Sequence, residues 1–173
     1  IKAGDVVFGL PSSGLHSNGF SLARKLMLDV EGKALDDPFQ DSGKTVGEVM
    51  LEPTRIYVKS VLALLQACPD AVLGMAHITG GGLLENVPRV LPKNVNAAID
   101  HTTWPRPAIF DALAAAGNLG DSELYKTFNM GIGFVIIAEK DQADAVAGAL
   151  EAQNEIYYRI GEIVDGDGHV VIR

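Results

Sequence analysis

The sequence predicts an α/β (α+β) fold, in which a mixed β-sheet of about six strands is covered by helices. Six short apolar runs of strand length alternate with about six segments of helical character. The last two runs are separated by Asp165-Gly166-Asp167-Gly168, whose turn chemistry predicts an antiparallel hairpin at the end of the chain. The 173 residues are expected to form one domain, 1–173.

The strands are predicted from short runs of β-branched and other apolar residues that are bounded by glycine, proline or polar turn residues. The run 134–138 is apolar throughout, which is typical of a strand at the centre of a sheet. In chain order the predicted strands are 5–10, 72–79, 94–100, 134–138, 157–164 and 169–173.

The helices are predicted from apolar residues at helical spacing and from residues that suit helix ends. The helix 20–30 is capped by Ser17 or Asn18 in this prediction. A second long helix begins at Glu52, because Pro53 suits a first turn. Its predicted buried stripe is Val58, Val61, Leu62 and Leu65.

The remaining predicted helices are shorter or lie in the second half of the chain. They are 83–87, 108–116, 121–127 and 141–152. Gly117 is expected to close 108–116 in the usual glycine position, and Asp141 is expected to cap 141–152.

Charge and composition exclude several classes of function. The net charge of -8 and the pI near 4.9 argue against a nucleic-acid partner, because no basic patch offsets a phosphate backbone. The single cysteine, Cys68, allows no internal disulfide and favours a reducing, cytoplasmic compartment. No apolar run predicts a membrane span, and the four histidines show no zinc-type spacing, so no metal site is predicted. The chain begins without methionine, which suggests a piece of a longer protein.

The stretch Pro11 to Gly19, between the first strand and the first helix, is the best candidate for a binding site. It combines glycine, serine, asparagine and histidine, so it can present backbone N–H groups beside hydroxyl and amide donors. The unpaired N–H groups of the following helix would add to these, so the loop suits an anion such as phosphate. An ordinary turn and helix cap is the alternative.

The spacing of this loop excludes the two standard nucleotide motifs. Gly14 and Gly19 have the glycine spacing of a P-loop, but Phe20 and Ser21 replace its lysine and its serine or threonine. No G-x-G-x-x-G fingerprint for a dinucleotide is present in the loop.

A second stretch repeats the order of strand, glycines and helix. Thr79-Gly80-Gly81-Gly82 indicates a close approach of the backbone to a ligand or to a neighbouring element. His77, just before it, is either a core histidine or a catalytic one. Arg55 could meet a phosphate, although a surface charge is the commoner fate of an arginine on a helix.

Four longer motifs contain these stretches. They are SSGLHSNGFSL (12–22), PTRIYVKSV (53–61), HITGGGLLENVPRVLP (77–92) and TFNMGIGF (127–134). Together they closely resemble the family of phosphoribosylformylglycinamidine cyclo-ligase, also called AIR synthetase. The resemblance covers nearly the whole chain and corresponds to the C-terminal domain of that family.

The resemblance implies a two-domain enzyme of de novo purine biosynthesis that closes the imidazole ring of 5-aminoimidazole ribonucleotide. In the family's proposed chemistry, ATP phosphorylates the formyl oxygen of the substrate, and the amidine nitrogen then displaces that phosphate. The family's acidic residues for Mg-ATP lie mainly on an N-terminal domain that these residues do not include. The isolated C-terminal domain is therefore expected to be inactive. The N-terminal domain also builds most of the family's homodimer, so the isolated domain is expected to be a monomer or to associate through an exposed face.

The same resemblance implies residues in both glycine-containing loops. His16 is the implied catalytic residue, which would donate a charge-assisted hydrogen bond to a phosphate oxygen or to a developing oxyanion. The implied substrate- and phosphate-binding residues are Ser12, Ser13, Gly14, Ser17, Asn18, Gly19, Thr79, Gly80, Gly81 and Gly82, with Arg55 and His77 as further candidates.

Two other functions stay open at this point. The first is another reaction of the same ATP-using superfamily, such as that of formylglycinamidine ribonucleotide synthetase or selenophosphate synthetase. The long motif 77–92 argues against it. The second is a non-catalytic domain that binds a small molecule with the same loops.

Overall fold

The computed structural model describes residues 1–173 and confirms a mixed sheet of six strands. The strands are β1 (Val6–Pro11), β2 (Val72–His77), β3 (Val95–Ile99), β4 (Ile132–Ala138), β5 (Tyr158–Asp165) and β6 (Val170–Ile172). Their order across the sheet is β2-β4-β1-β5-β3-β6. All neighbouring strands are antiparallel except β3 and β6, which are parallel. Every predicted strand is therefore present, with small shifts at its ends.

The predicted hairpin between the last two strands is wrong. β5 and β6 do not pair, because β3 lies between them and pairs with both. The turn that joins them wraps around Asn96, whose Oδ1 accepts hydrogen bonds from the N–H groups of Asp167 (3.0 Å) and His169 (2.7 Å). Turn residues thus indicate that the chain reverses, but not that the flanking strands are neighbours.

Seven α-helices accompany the sheet. They are α1 (Phe20–Arg24), α2 (Val46–Met50), α3 (Val58–Ala67), α4 (Gly82–Asn86), α5 (Ala108–Gly117), α6 (Asp121–Thr127) and α7 (Ala143–Glu151). A π-helical segment, Lys25–Val30, continues α1, so helical structure covers the whole predicted range 20–30. No helix is long and apolar enough to cross a membrane.

The prediction for the second long helix is wrong at its start. Residues 52–57 are not helical, and α3 begins only at Val58. The preceding segment is bound to the loop after β1: the Pro53 carbonyl accepts a hydrogen bond from Ser13 Oγ, and the Arg55 N–H donates to His16 Nε2 (3.4 Å). These contacts between distant parts of the chain replace the first turn of a helix.

The predicted buried stripe of this helix is wrong at two of its four positions. Val58 and Leu62 are 59% and 55% exposed, whereas Val61 packs against the core and Leu64 is the fully buried residue of α3. The face that α3 presents to the sheet is therefore rotated from the one that its apolar spacing indicates.

Three predicted helix ends differ as well. Gly19 occupies the cap position of α1, and no side chain caps this helix. α5 includes Gly117 and ends at Asn118, which has the left-handed conformation (φ 47) that asparagine tolerates. Asp141 lies in a short 3₁₀ segment before α7, whose cap position is occupied by Gln142.

The sheet lies between two helical layers, because its strands bury side chains on both faces. On β1, Val7 belongs to the larger core, whereas Phe8 and Leu10 belong to the smaller one. The larger core contains residues of α1, α2, α4, α5 and α6, and the smaller core contains residues of α3 and α7. This arrangement is the helix-covered mixed sheet that the sequence predicts.

One end of the sheet brings the candidate loops together. β1 and β2 both pair antiparallel with β4, so their C-terminal ends lie beside the start of β4. The Ser12 N–H donates to the Gly131 carbonyl (2.8 Å), and the Ile78 N–H donates to the Gly133 carbonyl (2.9 Å). The loops after β1 and β2 and the segment before β4 therefore form one surface.

Candidate functional site

The first glycine loop, residues 12–19, is held by the fully buried side chain of Asn129. The Oδ1 atom of Asn129 accepts hydrogen bonds from Ser12 Oγ (2.9 Å) and from the Gly131 N–H (2.8 Å). Its Nδ2 atom donates to the carbonyls of Gly14 (2.8 Å) and Leu15 (3.2 Å). Asn129 thus uses the full hydrogen-bonding capacity of a side-chain amide.

The same loop contains a row of free backbone donors. The N–H groups of Gly14, Leu15, His16 and Ser17 donate to no acceptor in the chain. Three of these residues are buried, and buried backbone N–H groups in native proteins are paired with protein, water or ligand. Consecutive free donors of this kind suit an anion.

His16 lies within this row as a buried, neutral ring that is 4% exposed. Its Nε2 atom accepts hydrogen bonds from the N–H groups of Ser13 (3.1 Å) and Arg55 (3.4 Å), so the ring proton lies on Nδ1. Burial, followed by the neighbouring His77 and Arg55, lowers the pKa of His16 from 6.5 to about 4. Nδ1 is buried and has no partner in the chain. At neutral pH His16 therefore offers a neutral donor, whose hydrogen bond to a phosphate oxygen would be charge-assisted by the acceptor.

Because His16 is neutral when folded, we expect acid to destabilise the protein. Between about pH 6.5 and pH 4 the unfolded chain binds more protons at this residue than the folded chain does. As the pH is lowered through this window, the free energy of unfolding should therefore fall. The contribution of His16 to this loss is up to about 1.4 kcal/mol per pH unit. Urea unfolding across the window measures the loss. His16→Gln, which does not titrate, should lose less, and equal losses in both proteins would contradict a neutral His16.

The segment 52–57 separates two open clefts beside the first glycine loop. A cleft of ≈ 360 Å³ has His16, Ser17 and Thr54 among its lining residues. A groove of ≈ 490 Å³ on the other side of the segment includes Arg55 and His77. Ser13 and Gly14 line a third cleft, of ≈ 170 Å³, so the predicted residues are divided among separate surfaces.

The second glycine loop, residues 79–82, is held by another buried asparagine, Asn86. Its Nδ2 atom donates to the carbonyls of Thr79 (3.2 Å), Gly80 (3.1 Å) and Gly82 (2.8 Å), and its Oδ1 accepts from Thr79 Oγ1 (3.0 Å). Asn18 Nδ2 of the first loop donates to the Ile78 carbonyl (3.2 Å). The first loop is therefore bonded to the residue that precedes the second loop.

Arg55 is paired within the protein. Its guanidinium forms an ion pair with Glu155, whose side chain is 6% exposed, and donates to the Pro11 carbonyl (3.2 Å). Ser60 Oγ donates to the same carboxylate. The positive charge of Arg55 is thus compensated inside the protein, which leaves little of it for a phosphate.

His77 lies at the exposed end of β2, so its interpretation as a core histidine is wrong. Its ring stacks on Phe134 at 6.2 Å and meets the edge of Tyr57 at 6.1 Å between ring centroids. Tyr57 is buried, and burial raises its pKa. His77 therefore belongs to an aromatic cluster at the mouth of the larger groove.

Comparison with known proteins gives the family of this fold and site. The profile of the family described as AIR synthase related protein, C-terminal domain, matches residues 2–173. The chain belongs to this family. The resemblance found in the sequence is therefore confirmed across nearly the whole chain.

Two curated relatives in this family are named phosphoribosylformylglycinamidine cyclo-ligase. The protein of Alkaliphilus oremlandii is 45% identical over 172 residues, which are 99% of this chain and 50% of that protein. The protein of Neisseria meningitidis serogroup A is 52% identical over 171 residues, which are 98% of this chain and 48% of that protein. The chain thus spans about half the length of the curated relatives that it matches.

A solved structure shares the fold of this family member. Thiamine-monophosphate kinase from Stenotrophomonas maltophilia superposes with a TM-score of 0.61 at 20% sequence identity. The match covers 99% of this chain and 50% of that one. The common arrangement is the helix-covered mixed sheet.

Neither buried asparagine is among the residues predicted from the sequence. Asn129 stands between the buried residues Phe128 and Met130, whereas Asn86 stands between Glu85 and the buried Val87. For Asn129, a lone amide in an apolar stretch beside glycines is the signal that the sequence offers, because a buried amide needs partners. It does not indicate which carbonyls those partners are.

Because Gly133 has no side chain, the rings of His16 and Tyr57 can pack against its backbone. A Cβ atom added there would lie 2.0 Å from Tyr57 Oη and 2.6 Å from His16 Cε1. Tyr57 Oη is already fixed by its hydrogen bond to the Pro11 carbonyl (2.8 Å). We therefore expect Gly133→Ala to lower the free energy of unfolding by about 1–3 kcal/mol, as measured by urea unfolding.

Gly148→Ala on α7 is the matched control for that substitution. No atom lies within 4 Å of its added Cβ, and alanine favours helices over glycine, so this variant should be at least as stable as the wild type. A Gly133→Ala protein with wild-type stability would contradict the crowding at His16.

Proposed function

We propose that this chain is the C-terminal half of a phosphoribosylformylglycinamidine cyclo-ligase and that its first glycine loop holds a phosphate of the ribonucleotide substrate. The row of free N–H groups beside the unpartnered Nδ1 of His16 carries this proposal. The relatives named above match nearly the whole length of the chain and support the proposal. Their name favours this reaction over the other reactions of the superfamily.

The proposed reaction is ATP-dependent ring closure to 5-aminoimidazole ribonucleotide. The formyl oxygen of the substrate takes a phosphoryl group from ATP, which leaves as ADP. The amidine nitrogen then bonds to the formyl carbon, and inorganic phosphate leaves with that oxygen. These steps need fixed donors for phosphate and for developing charge more than they need a protein nucleophile.

In this proposal the residues of the chain orient the substrate. The N–H groups of the loop bind phosphate oxygens, and His16 donates from Nδ1 without changing its own charge. A neutral imidazole can polarise an oxygen in this way when its pKa lies below the working pH. Arg55 is not assigned to the phosphate, because Glu155 already pairs with it.

Mg-ATP is not assigned to the residues of this chain in the proposal. No group of three or more His, Cys, Asp or Glu side chains lies close enough to hold a metal ion. The proposal therefore assigns Mg-ATP to the other half of the relatives' length. It assigns the homodimer contact of the complete enzyme to that half as well.

Titration calorimetry of the purified chain tests this division. We expect phosphoribosylformylglycinamidine to bind and Mg-ATP not to bind. A chimera that joins the N-terminal half of the Neisseria meningitidis relative to this chain should then release ADP during ring closure. A chain that binds Mg-ATP but not the ribonucleotide would contradict the proposal.

A further inference from the structure

We infer that Asn129 is a positioning residue, which directs the backbone N–H groups of Leu15 and His16 toward the ligand of the first glycine loop. The inference rests on the proposed phosphate-binding function of this loop and adds to it the residue that sets its donor directions. Asn129 itself does not touch the ligand in this inference.

The directions of the Leu15 and His16 N–H groups follow from the geometry of the peptide bond. A trans peptide unit is planar, so its C=O and N–H groups point in opposite directions. The carbonyl of Gly14 shares a peptide unit with the Leu15 N–H, and the carbonyl of Leu15 shares one with the His16 N–H. Asn129 Nδ2 donates to both carbonyls, at 2.8 and 3.2 Å. Both N–H groups therefore point away from Asn129, and neither has an acceptor in the chain.

The side chain of Asn129 is itself held in one orientation. Its side chain is fully buried, and its Oδ1 is held by Ser12 Oγ and by the Gly131 N–H. An amide with every donor and acceptor in use has one favoured orientation. Asn129 precedes β4, whereas the loop follows β1, so its hydrogen bonds fix the loop to the sheet.

Other side chains at this position would not give the same result. Alanine would leave the Gly14 and Leu15 carbonyls without the Asn129 donor, although both residues are buried. Aspartate would keep the size and an Oδ acceptor but would turn a negative charge toward the two carbonyls. In both variants, rotation of the two peptide units would let their carbonyls find other donors or avoid the negative charge. The N–H groups of the same peptide units would rotate with them.

The second glycine loop shows the same construction independently. Asn86 donates to three carbonyls of residues 79–82 and is itself 3% exposed. A buried amide therefore fixes the carbonyl directions in both loops, although their sequences differ.

The test is an NMR titration of the ¹⁵N-labelled chain with inorganic phosphate. In the wild type, the amide resonances of Leu15 and His16 should shift and saturate. In Asn129→Ala we expect the dissociation constant for phosphate to rise at least about tenfold, because the two donors lose their direction. The resonances of the sheet should keep their folded positions.

Asn96→Ala is the matched control. Asn96 also holds backbone groups with two hydrogen bonds, but its turn lies at the opposite end of the sheet from the glycine loops. We expect the Asn96→Ala protein to bind phosphate with the affinity of the wild type, even if the substitution lowers its stability. An equal loss of affinity in Asn96→Ala and Asn129→Ala would overturn the positioning role.

The remaining outcomes separate the inference from the proposed function. A folded Asn129→Ala with wild-type phosphate affinity would overturn the inference alone. If this variant does not fold, Asn129→Asp is measured instead, with the same expected loss and the same contrary result. A wild-type chain whose loop resonances respond to neither phosphate nor the ribonucleotide would overturn the proposed function itself.

Discussion

Replacing His16 with alanine is expected to lower the rate of ring closure by about 10²- to 10³-fold, the usual effect of removing one donor to developing charge. Its Nδ1 has no partner in the chain and His16 lines the cleft of ≈ 360 Å³, so the proposed function assigns this donor to an oxygen of the reacting group. The rate is measured as ADP release by the chimera described above. Urea unfolding of the same variant shows whether its fold is intact.

The backbone conformation of His16 determines the control for this experiment. His16 has φ 56, a left-handed conformation in which alanine is strained and glycine is not. His16→Gly should therefore avoid the backbone strain of His16→Ala while also lacking a side-chain donor. A similar loss of rate in both variants would support the donor role. Wild-type rates in both would contradict it.

The pH dependence of the rate distinguishes a neutral donor from an acid–base group. With a pKa of about 4, His16 should contribute no ionisation near pH 6.5 to the rate profile. An ionisation near pH 6.5 that disappears in His16→Gly would show that the ring exchanges a proton during turnover. That result would contradict the neutral assignment.

The strands could be predicted because each is indicated by its own apolar residues. The pairing of strands within the sheet could not be predicted. The apolar run of β4 identifies a central strand, and it pairs with β1 and β2 on its two sides. Nothing local shows that β3 separates β5 from β6. Similarly, 52–57 has a helix-starting sequence, but its hydrogen bonds to Ser13 and His16 depend on contacts about 40 residues away.

The order of strand, glycine loop and helix could be predicted from the glycines and the apolar runs, but the support of the two loops could not. Asn129 lies 115 residues from Gly14 in sequence, and only the pairing of β1 with β4 brings them together. One of the two N–H groups that set the tautomer of His16 likewise belongs to Arg55, 39 residues away, whereas the other belongs to the neighbouring Ser13. Residue type indicates what a side chain can do, whereas the fold determines the direction in which it acts.

Gly82→Ala is expected to lower the free energy of unfolding by about 3–5 kcal/mol, through backbone strain and overpacking together. Gly82 has φ 56, and an added Cβ would lie 2.1 Å from the Tyr125 carbonyl oxygen and 2.6 Å from that of Phe128. Both oxygens belong to the backbone at the end of α6, so no side-chain rotation can relieve the contact. Urea unfolding measures the loss.

Gly80→Ala is the matched variant, because it separates the two reasons for a run of glycines. No atom lies within 4 Å of its added Cβ and its φ is not positive, so its stability should change by no more than about 0.5 kcal/mol. Any loss of ribonucleotide affinity in Gly80→Ala would then reflect a ligand that approaches the loop. A Gly82→Ala protein with wild-type stability would contradict the close contact with α6 and would leave ligand approach as the reason for Gly82 too.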